Sequence, residues 1–245
     1  MGKDAFRFKQ FTVLHNHCAM KVGADAVLLG AWANCTHCRT VLDIGTGSGI
    51  IALMLAQRTN ADTHIFGIEI DHAAYLQACS NVQNSPWPQK IALMHGDFVH
   101  VNELARHNYL PAGFDLIVTN PPYFQNHLLP PDAKRAGARH STTLTHRQLL
   151  TGAANLLNPG GFFCAIIPAD AFEGFMQIAQ TEAGLHAQQV VAVKTLPHKP
   201  VSRFLLQMGK TQQHCTTAEL ITGGAHPTQF TPQCKALTAP FYLHL

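Results

Sequence analysis

The stretch TVLDIGTGSGIIALMLAQR, Thr40 to Arg58, decides the fold. Its first five residues, Thr40 to Ile44, are β-branched and apolar, the composition of a buried strand. Gly45 to Gly49 then reads as a turn, and Ile50 to Arg58 as a helix with an apolar face. Glycines at such a corner let the backbone turn tightly and let a ligand approach it. A strand that passes through a glycine turn into a helix is the first half of a βαβ unit.

The pattern repeats downstream. His64 to Ile70 is a second strand, and a helix from Asp71 or His72 runs to about Asn84, stopped by Ser85-Pro86. Lys90 to His95 is a third strand, followed by a weaker helix, Val99 to Asn108. Phe114 to Thr119 is the fourth strand. Thr145 to Leu157 is a helix closed by Asn158-Pro159-Gly160-Gly161. Phe162 to Ile167 is the fifth strand, and Ala169 to Glu182 a helix. Gln188 to Thr195 and Ser202 to Met208 are two late strands whose join, Leu196 to Val201, is too short for a crossover helix, so they pair antiparallel. The expectation is an α/β chain with one doubly wound, Rossmann-like domain over residues 37–245. Its sheet has seven strands, mostly parallel, with a late antiparallel hairpin. Residues 1–36 precede it as a helical head or lid packed on the core. In such sheets ligands bind beyond the carboxyl ends of the strands, near the switch point.

Composition agrees with this and narrows the class. In 245 residues, 47% are hydrophobic and 13% charged, which supports a packed core and argues against disorder. A net charge of +3, with 16 histidines uncounted, permits an anionic partner without requiring one. MGKDAFRFKQF carries no secretory apolar region, and Phe6 stands where myristoylation wants Ser or Thr. No apolar run approaches the roughly 20 residues of a membrane span. Seven scattered cysteines read as reduced thiols in a cytoplasm. Cys35-Thr-His-Cys38, with His17 and Cys18 upstream, has metal-ligand spacing, but no second pair follows, so a thiol-bearing turn and no metal are expected.

The glycine spacing bears on the ligand. A dinucleotide fingerprint wants glycine at its sixth position, where Ile50 stands. Gly45-x-Gly47-x-Gly49 instead resembles motif I of class I S-adenosylmethionine-dependent methyltransferases, although a glycine turn also serves as a plain strand–helix corner. Glu69 ends the second strand, where a carboxylate accepts both ribose hydroxyls. Asp97 ends the third, and the resemblance implies that it accepts from the adenine amine while Phe98 packs on the ring. Either acid alone reads equally well as a turn residue or helix cap. Asp43 is expected to orient the loop and the methionine end of the cofactor.

The fourth strand runs into TNPPYFQ, Thr119 to Gln125. Pro121 restricts Asn120 to an extended conformation, and Pro122 restricts Pro121. Neither proline offers an N–H, which leaves a stiff segment rich in acceptors. The Asn120 side-chain oxygen and the Pro121 carbonyl suit the two hydrogens of a planar amine, and Tyr123 offers a flat face to a base. This resembles the Asn-Pro-Pro-Tyr motif of amino-methyltransferases, whose members act on adenine N6, guanine N2 or the glutamine amide.

The head chooses among these. Phe6 to Phe11 (FRFKQF), Met20 to Asp25 (MKVGAD) and Leu28 to Trp32 (LLGAW) closely resemble the head of bacterial tRNA(Val) adenosine-37 N6-methyltransferases. The likeness covers most of the chain; Ala24 departs from the family's usual Thr. It implies an enzyme using S-adenosylmethionine on adenosine 37 in the anticodon loop; a monomer in the cytoplasm is expected. Lys134, Arg135 and Arg139 in the insert after Tyr123, with Lys199 and Arg203 at the late hairpin, are candidate phosphate contacts that Arg7 and Lys9 could join. Each also reads as a solvated surface cation. Lys21 and Asp25 are candidates for closing the cofactor pocket or for a plain structural role. The rival readings are a protein-glutamine methyltransferase acting on release factors, a ribosomal-RNA guanine-N2 methyltransferase, and a cofactor-binding RNA module without catalysis.

Overall fold

The computed structural model describes residues 4–18, 21–101, 103, 110–121, 144–224 and 229–243. The chain starts with two short antiparallel strands, β1 (Ala5–Arg7) and β2 (Thr12–Leu14), in register Ala5↔Leu14. Helix α1 (Ala24–Trp32) follows and is buried from Ala26 to Ala31. It lies against α2 (Ile50–Arg58) and against the late helix. The head thus holds a small hairpin as well as the expected helix.

An eight-stranded sheet forms the centre. Its strands are β3 (Thr40–Ile44), β4 (His64–Glu69), β5 (Ile91–His95), β6 (Phe114–Thr119), β7 (Leu157–Pro168), β8 (His186–Lys194), β9 (Arg203–Gly209) and β10 (Thr216–Ile221). Their spatial order is β10-β8-β9-β7-β6-β3-β4-β5. The pairs β3/β4, β4/β5, β3/β6, β6/β7 and β8/β10 are parallel; β9 runs antiparallel to both β7 and β8. The order reverses between β3 and β6, which is the switch point.

The helices α3 (His72–Gln83), α4 (His146–Leu156), α5 (Phe172–Thr181) and α6 (Pro232–Thr238) complete the layers. Successive strand residues feed opposite faces. Val41, Leu116, Val118, Cys164 and Ile166 join α1, α2 and the head in one core. Leu42, Ile44, Ile117, Phe163 and Ala165 join α4 and α5 in the other. Burial on both faces is why these strands read as continuous apolar runs. Thr145 caps α4 with a reciprocal bond pattern through Gln148.

The eighth strand is the main departure from the sequence reading. β10 is an edge strand with four consecutive exposed residues, Thr216 to Glu219, so it lacks the apolar pattern that marks a strand. β7 begins at Leu157, directly at the end of α4, and runs through the Asn-Pro-Gly-Gly expected as a terminator. Beyond Asp97 the chain forms a 3-10 turn, Phe98–His100. Most of the helix expected there lies outside the described residues. Among those described, no helix is long and apolar enough to cross a membrane.

An aromatic cluster joins the head to residues near 240. Phe8 is 1% exposed; its ring stacks on Phe11 at 4.7 Å and on Tyr242 at 6.2 Å. Phe8 and Tyr242 form a β-bridge, and the Lys9 N–H donates to the Phe241 carbonyl at 2.8 Å. Phe230 stacks on Tyr242 at 5.8 Å.

Candidate active site

Register brings three strand ends level. Ile44 pairs with Ile68 on one side and Thr119 on the other. The next residues, Gly45 and Asn120 just past their strands and Glu69 as the last residue of β4, therefore stand at the same end of the sheet on neighbouring strands, about 5 Å apart per strand. The glycine loop is anchored by the N–H groups of Gly45 and Thr46, which both donate to the Ile68 carbonyl at 2.9 and 3.1 Å. Gly45, Gly47 and Gly49 have φ of 69°, 55° and 80°, a region that side chains disfavour. A Cβ placed on Gly45 meets nothing within 4 Å, and one on Gly47 meets only the Gly45 carbonyl at 4.0 Å. The loop thus shows bare backbone to open space. A Cβ placed on Gly49 would instead stand in ordinary contact with α3, 3.5 Å from the Ala78 Cβ.

Glu69 is 8% exposed and holds the loop. Its Oε2 accepts from the Gly47 N–H at 2.8 Å and its Oε1 from the Asp71 N–H at 2.9 Å. Each carboxylate oxygen has a second lone pair, so acceptor capacity for a diol remains. Bare glycine backbone beside such a carboxylate fits the nucleoside part of S-adenosylmethionine. Asp43 sits beneath the loop and is wholly buried. Its Oδ2 accepts from the Thr46 hydroxyl at 2.7 Å, while Oδ1 is buried without a hydrogen-bond partner. Burial pushes its carboxyl up to about 7, against the opposing effect of the Thr46 hydroxyl. Asp43 therefore meets the loop from the core side.

Asp97 caps the 3-10 turn, its Oδ1 accepting from the Val99 N–H at 2.9 Å. The Phe98 ring is 4% exposed and packs in the core against α4; a Cβ on Gly152 would lie 2.8 Å from it. Among the described residues, Ile70 is an apolar side chain open to solvent at this corner, 52% exposed and next to Glu69. Sequence reading missed it because an isoleucine ending an apolar strand looks like core.

On the acceptor side, the Thr119 hydroxyl donates to the Ile44 carbonyl at 2.9 Å, tying β6 to β3 where both end. Asn120 follows, half-buried, then Pro121, buried. Tyr123 lies outside the described residues, as do Lys134, Arg135 and Arg139. Lys199 is exposed in the turn between β8 and β9. Arg203, the first residue of β9, is not simply a surface cation: its Nε pairs with Asp25 Oδ2 at 2.9 Å, and its Nη1 donates to the Ser202 carbonyl. That pair fastens the first turn of α1 to the late hairpin. Arg7 is exposed, while Lys9 donates from Nζ to the Ala239 carbonyl at 2.6 Å. Cys35 and Cys38 are buried in a turn closed by the Cys38 N–H on the Cys35 carbonyl. Burial raises both thiols, Cys38 to about 12. Among the described residues no group of three or more His, Cys, Asp or Glu could hold a metal ion.

Comparison with known proteins gives a consistent picture. A family model described as O-methyltransferase matches residues 5–123. A protein of Bacteroides thetaiotaomicron is 43% identical over 245 residues, covering 100% of both chains. One of Proteus mirabilis is 43% identical over 248 residues, covering 100% of this chain and 96% of the relative. Both are named tRNA1(Val) (adenine(37)-N6)-methyltransferase. Among solved structures, protein Atu636 of Agrobacterium tumefaciens, described as a predicted O-methyltransferase, superposes with a TM-score of 0.68 at 18% identity. It covers 88% of this chain and 96% of its own. TrmN from Thermus thermophilus gives 0.52 at 22% identity, over 71% of this chain and 44% of its own. These two structures show the methyltransferase fold. The O-methyltransferase match stops at Tyr123, so it spans the glycine loop, both strand-end acids and the Asn120 to Tyr123 segment.

Proposed function

Because the chain belongs to the bacterial tRNA1(Val) (adenine(37)-N6)-methyltransferase family, we propose that it methylates the exocyclic N6 of an adenosine in tRNA, adenosine 37 of the anticodon loop. The chain is an S-adenosylmethionine-dependent methyltransferase of class I. The observation that carries the substrate reading is the level register of β3, β4 and β6. With Asn120-Pro121 at the same end of the sheet as the glycine loop and Glu69, the register supports a reading in which an amine held by the first faces a cofactor held by the others.

The cofactor supplies an electrophilic methyl group on a sulfonium. The chain supplies position. Gly45 and Gly47 present bare backbone, Glu69 takes the ribose hydroxyls, and Ile70 packs on the base. Asp97 accepts from the adenine amine, and Asp43 and Thr46 fix the loop from below. Asn120 Oδ1 and the Pro121 carbonyl accept the two hydrogens of the substrate amine. An aromatic amine is a poor nucleophile because its lone pair is delocalised into the ring; gripping both hydrogens localises that pair. Orientation then accounts for much of the rate. A hydroxyl acceptor carries one hydrogen and would leave one of the two acceptors unpaired, which favours an amine. Tyr123 stacks on the target base, worth roughly 1–3 kcal/mol. Loop bases are partly unstacked, so extrusion costs a few kcal/mol at most. Lys134, Arg135, Arg139 and Lys199 take phosphates.

The test is nucleoside mass spectrometry of tRNA treated with enzyme and cofactor. We expect N6-methyladenosine with the wild type, and about a hundredfold or greater loss with Asn120→Ala while S-adenosylhomocysteine binding persists. Methyl transfer by that variant within a few-fold of wild type would reject the acceptor role. Labelling of a release factor in place of tRNA would move the assignment to the protein-glutamine class.

A further inference from the structure

Asn81 belongs to none of the groups assigned above. It lies on α3, 2% exposed, and its carboxamide makes three hydrogen bonds. Oδ1 accepts from the Leu14 N–H at 2.9 Å. Nδ2 donates to the Leu14 carbonyl and to the Ser48 carbonyl, each at 2.8 Å. Leu14 ends the head strand β2; Ser48 stands between Gly47 and Gly49 in the glycine loop. One buried side chain therefore joins the head strand to the glycine loop. A carboxamide is the small side chain that donates twice and accepts in one plane. Its neighbour one turn back, Ala78, meets Gly49. Across the loop, Glu69 holds the Gly47 N–H. The peptides between two left-handed glycines are soft, and these grips from opposite sides fix their orientation.

We infer that Asn81 is a positioning residue that sets the glycine loop for the cofactor and couples cofactor binding to the seating of the head strand. The inference rests on the reading of that loop as the cofactor site. Coupling of this kind is reciprocal: whatever steadies Ser48 steadies Leu14, and loss of either contact weakens the other.

Two measurements test it. Asn81→Asp keeps an acceptor for the Leu14 N–H and removes both donors. Titration calorimetry with S-adenosylhomocysteine should show binding weakened about tenfold. The KM for S-adenosylmethionine should rise in step, with kcat within twofold of wild type. A residue that only supports the core would lower the melting temperature and leave this Kd within twofold, which would overturn the inference. The second measurement needs only wild-type protein: residue-resolved hydrogen exchange with and without saturating S-adenosylhomocysteine. The Leu14 amide should exchange several-fold more slowly with ligand. Protection confined to residues 43–49 and 69–71, with Leu14 unchanged, would overturn the coupling. A wild type that binds no S-adenosylhomocysteine would overturn the cofactor reading itself, and the inference with it.

Discussion

Replacing Glu69 should damage two things by different amounts, and the difference tests its assignment. The side chain accepts two backbone N–H groups, from Gly47 at 2.8 Å and Asp71 at 2.9 Å. Hydrogen bonds to a charged partner are worth about 1.5–3 kcal/mol each. Asp71 is exposed, so in Glu69→Ala water can replace the lost partner there. The Gly47 N–H is half-buried and bears most of the loss. Stability should therefore fall by about 2–3 kcal/mol, which for a chain of this size is roughly 4–12 °C in melting temperature. Cofactor affinity should fall further. Two ribose hydroxyls lose a charged acceptor, about 3–6 kcal/mol together, or roughly 10²–10⁴ in Kd. Glu69→Gln retains one acceptor oxygen and turns an N–H donor toward a backbone N–H, so it should fall between alanine and wild type in affinity. Calorimetric titration with S-adenosylhomocysteine and a thermal melt of the same samples separate the effects. If Glu69→Ala lowered the melting temperature as expected but left Kd within threefold of wild type, Glu69 would be a brace for the loop and nothing more.

Three further outcomes follow from the ion pair, the exposed Lys199 and the buried acid. Asp25 and Arg203 are 25% and 30% exposed, so their pair is worth about 1 kcal/mol after screening. Asp25→Arg and Arg203→Asp should each lower the melting temperature by a few degrees, and the double swap should recover most of it. In tRNA binding titrated with KCl, Lys199→Ala should reduce the slope of log K against log salt by roughly 0.7–0.9, whereas Arg203→Ala should leave it unchanged. An equal change for both would return Arg203 to the phosphate contacts. Asp43, raised from 3.8 to about 7 by burial, holds its proton more tightly folded than unfolded across that window. Its contribution to stability is complete below about pH 4 and is lost as pH rises through 7. Urea unfolding at pH 4.5 and 7.5 should show the wild type losing stability relative to Asp43→Asn over that rise; a constant difference would reject the shift.

The centre of the sheet was legible because strands such as β3 and β6 are buried on both faces and lead into a glycine or a proline segment. β3, α2 and β6 have the bounds read from sequence. The glycine loop and Glu69 were legible because their spacing is set by local chain geometry. What was hidden depends on distant partners. β10 becomes a strand by pairing with β8, although its own residues are mostly exposed. Arg203 reads as a basic rim residue until its carboxylate partner, 178 positions away, is brought to it by the fold. Phe98 and Ile70 exchange expected positions, one buried and one exposed, because a 3-10 turn after Asp97 aims Phe98 at α4. Asn81 has no motif at all; a polar residue within a helix gives no sign that three backbone groups converge on it.

The seating of Phe8 on Tyr242 sets the order in which the molecule can be finished. Lys9 and Ala239, bonded in the same patch, are 230 positions apart in the chain. Closing a contact of that span is entropically expensive and comes late. On the ribosome the strand–helix units of the sheet emerge and can collapse while residues 5–14 still lack the rings that cover them. Phe11 can find Trp87 early, but Phe6 and Phe8 wait uncovered until Tyr242 has been made. A truncation that removed residues 230–242 would leave the sheet able to form but the nascent head unsheltered, a hazard for aggregation during synthesis rather than for the finished enzyme.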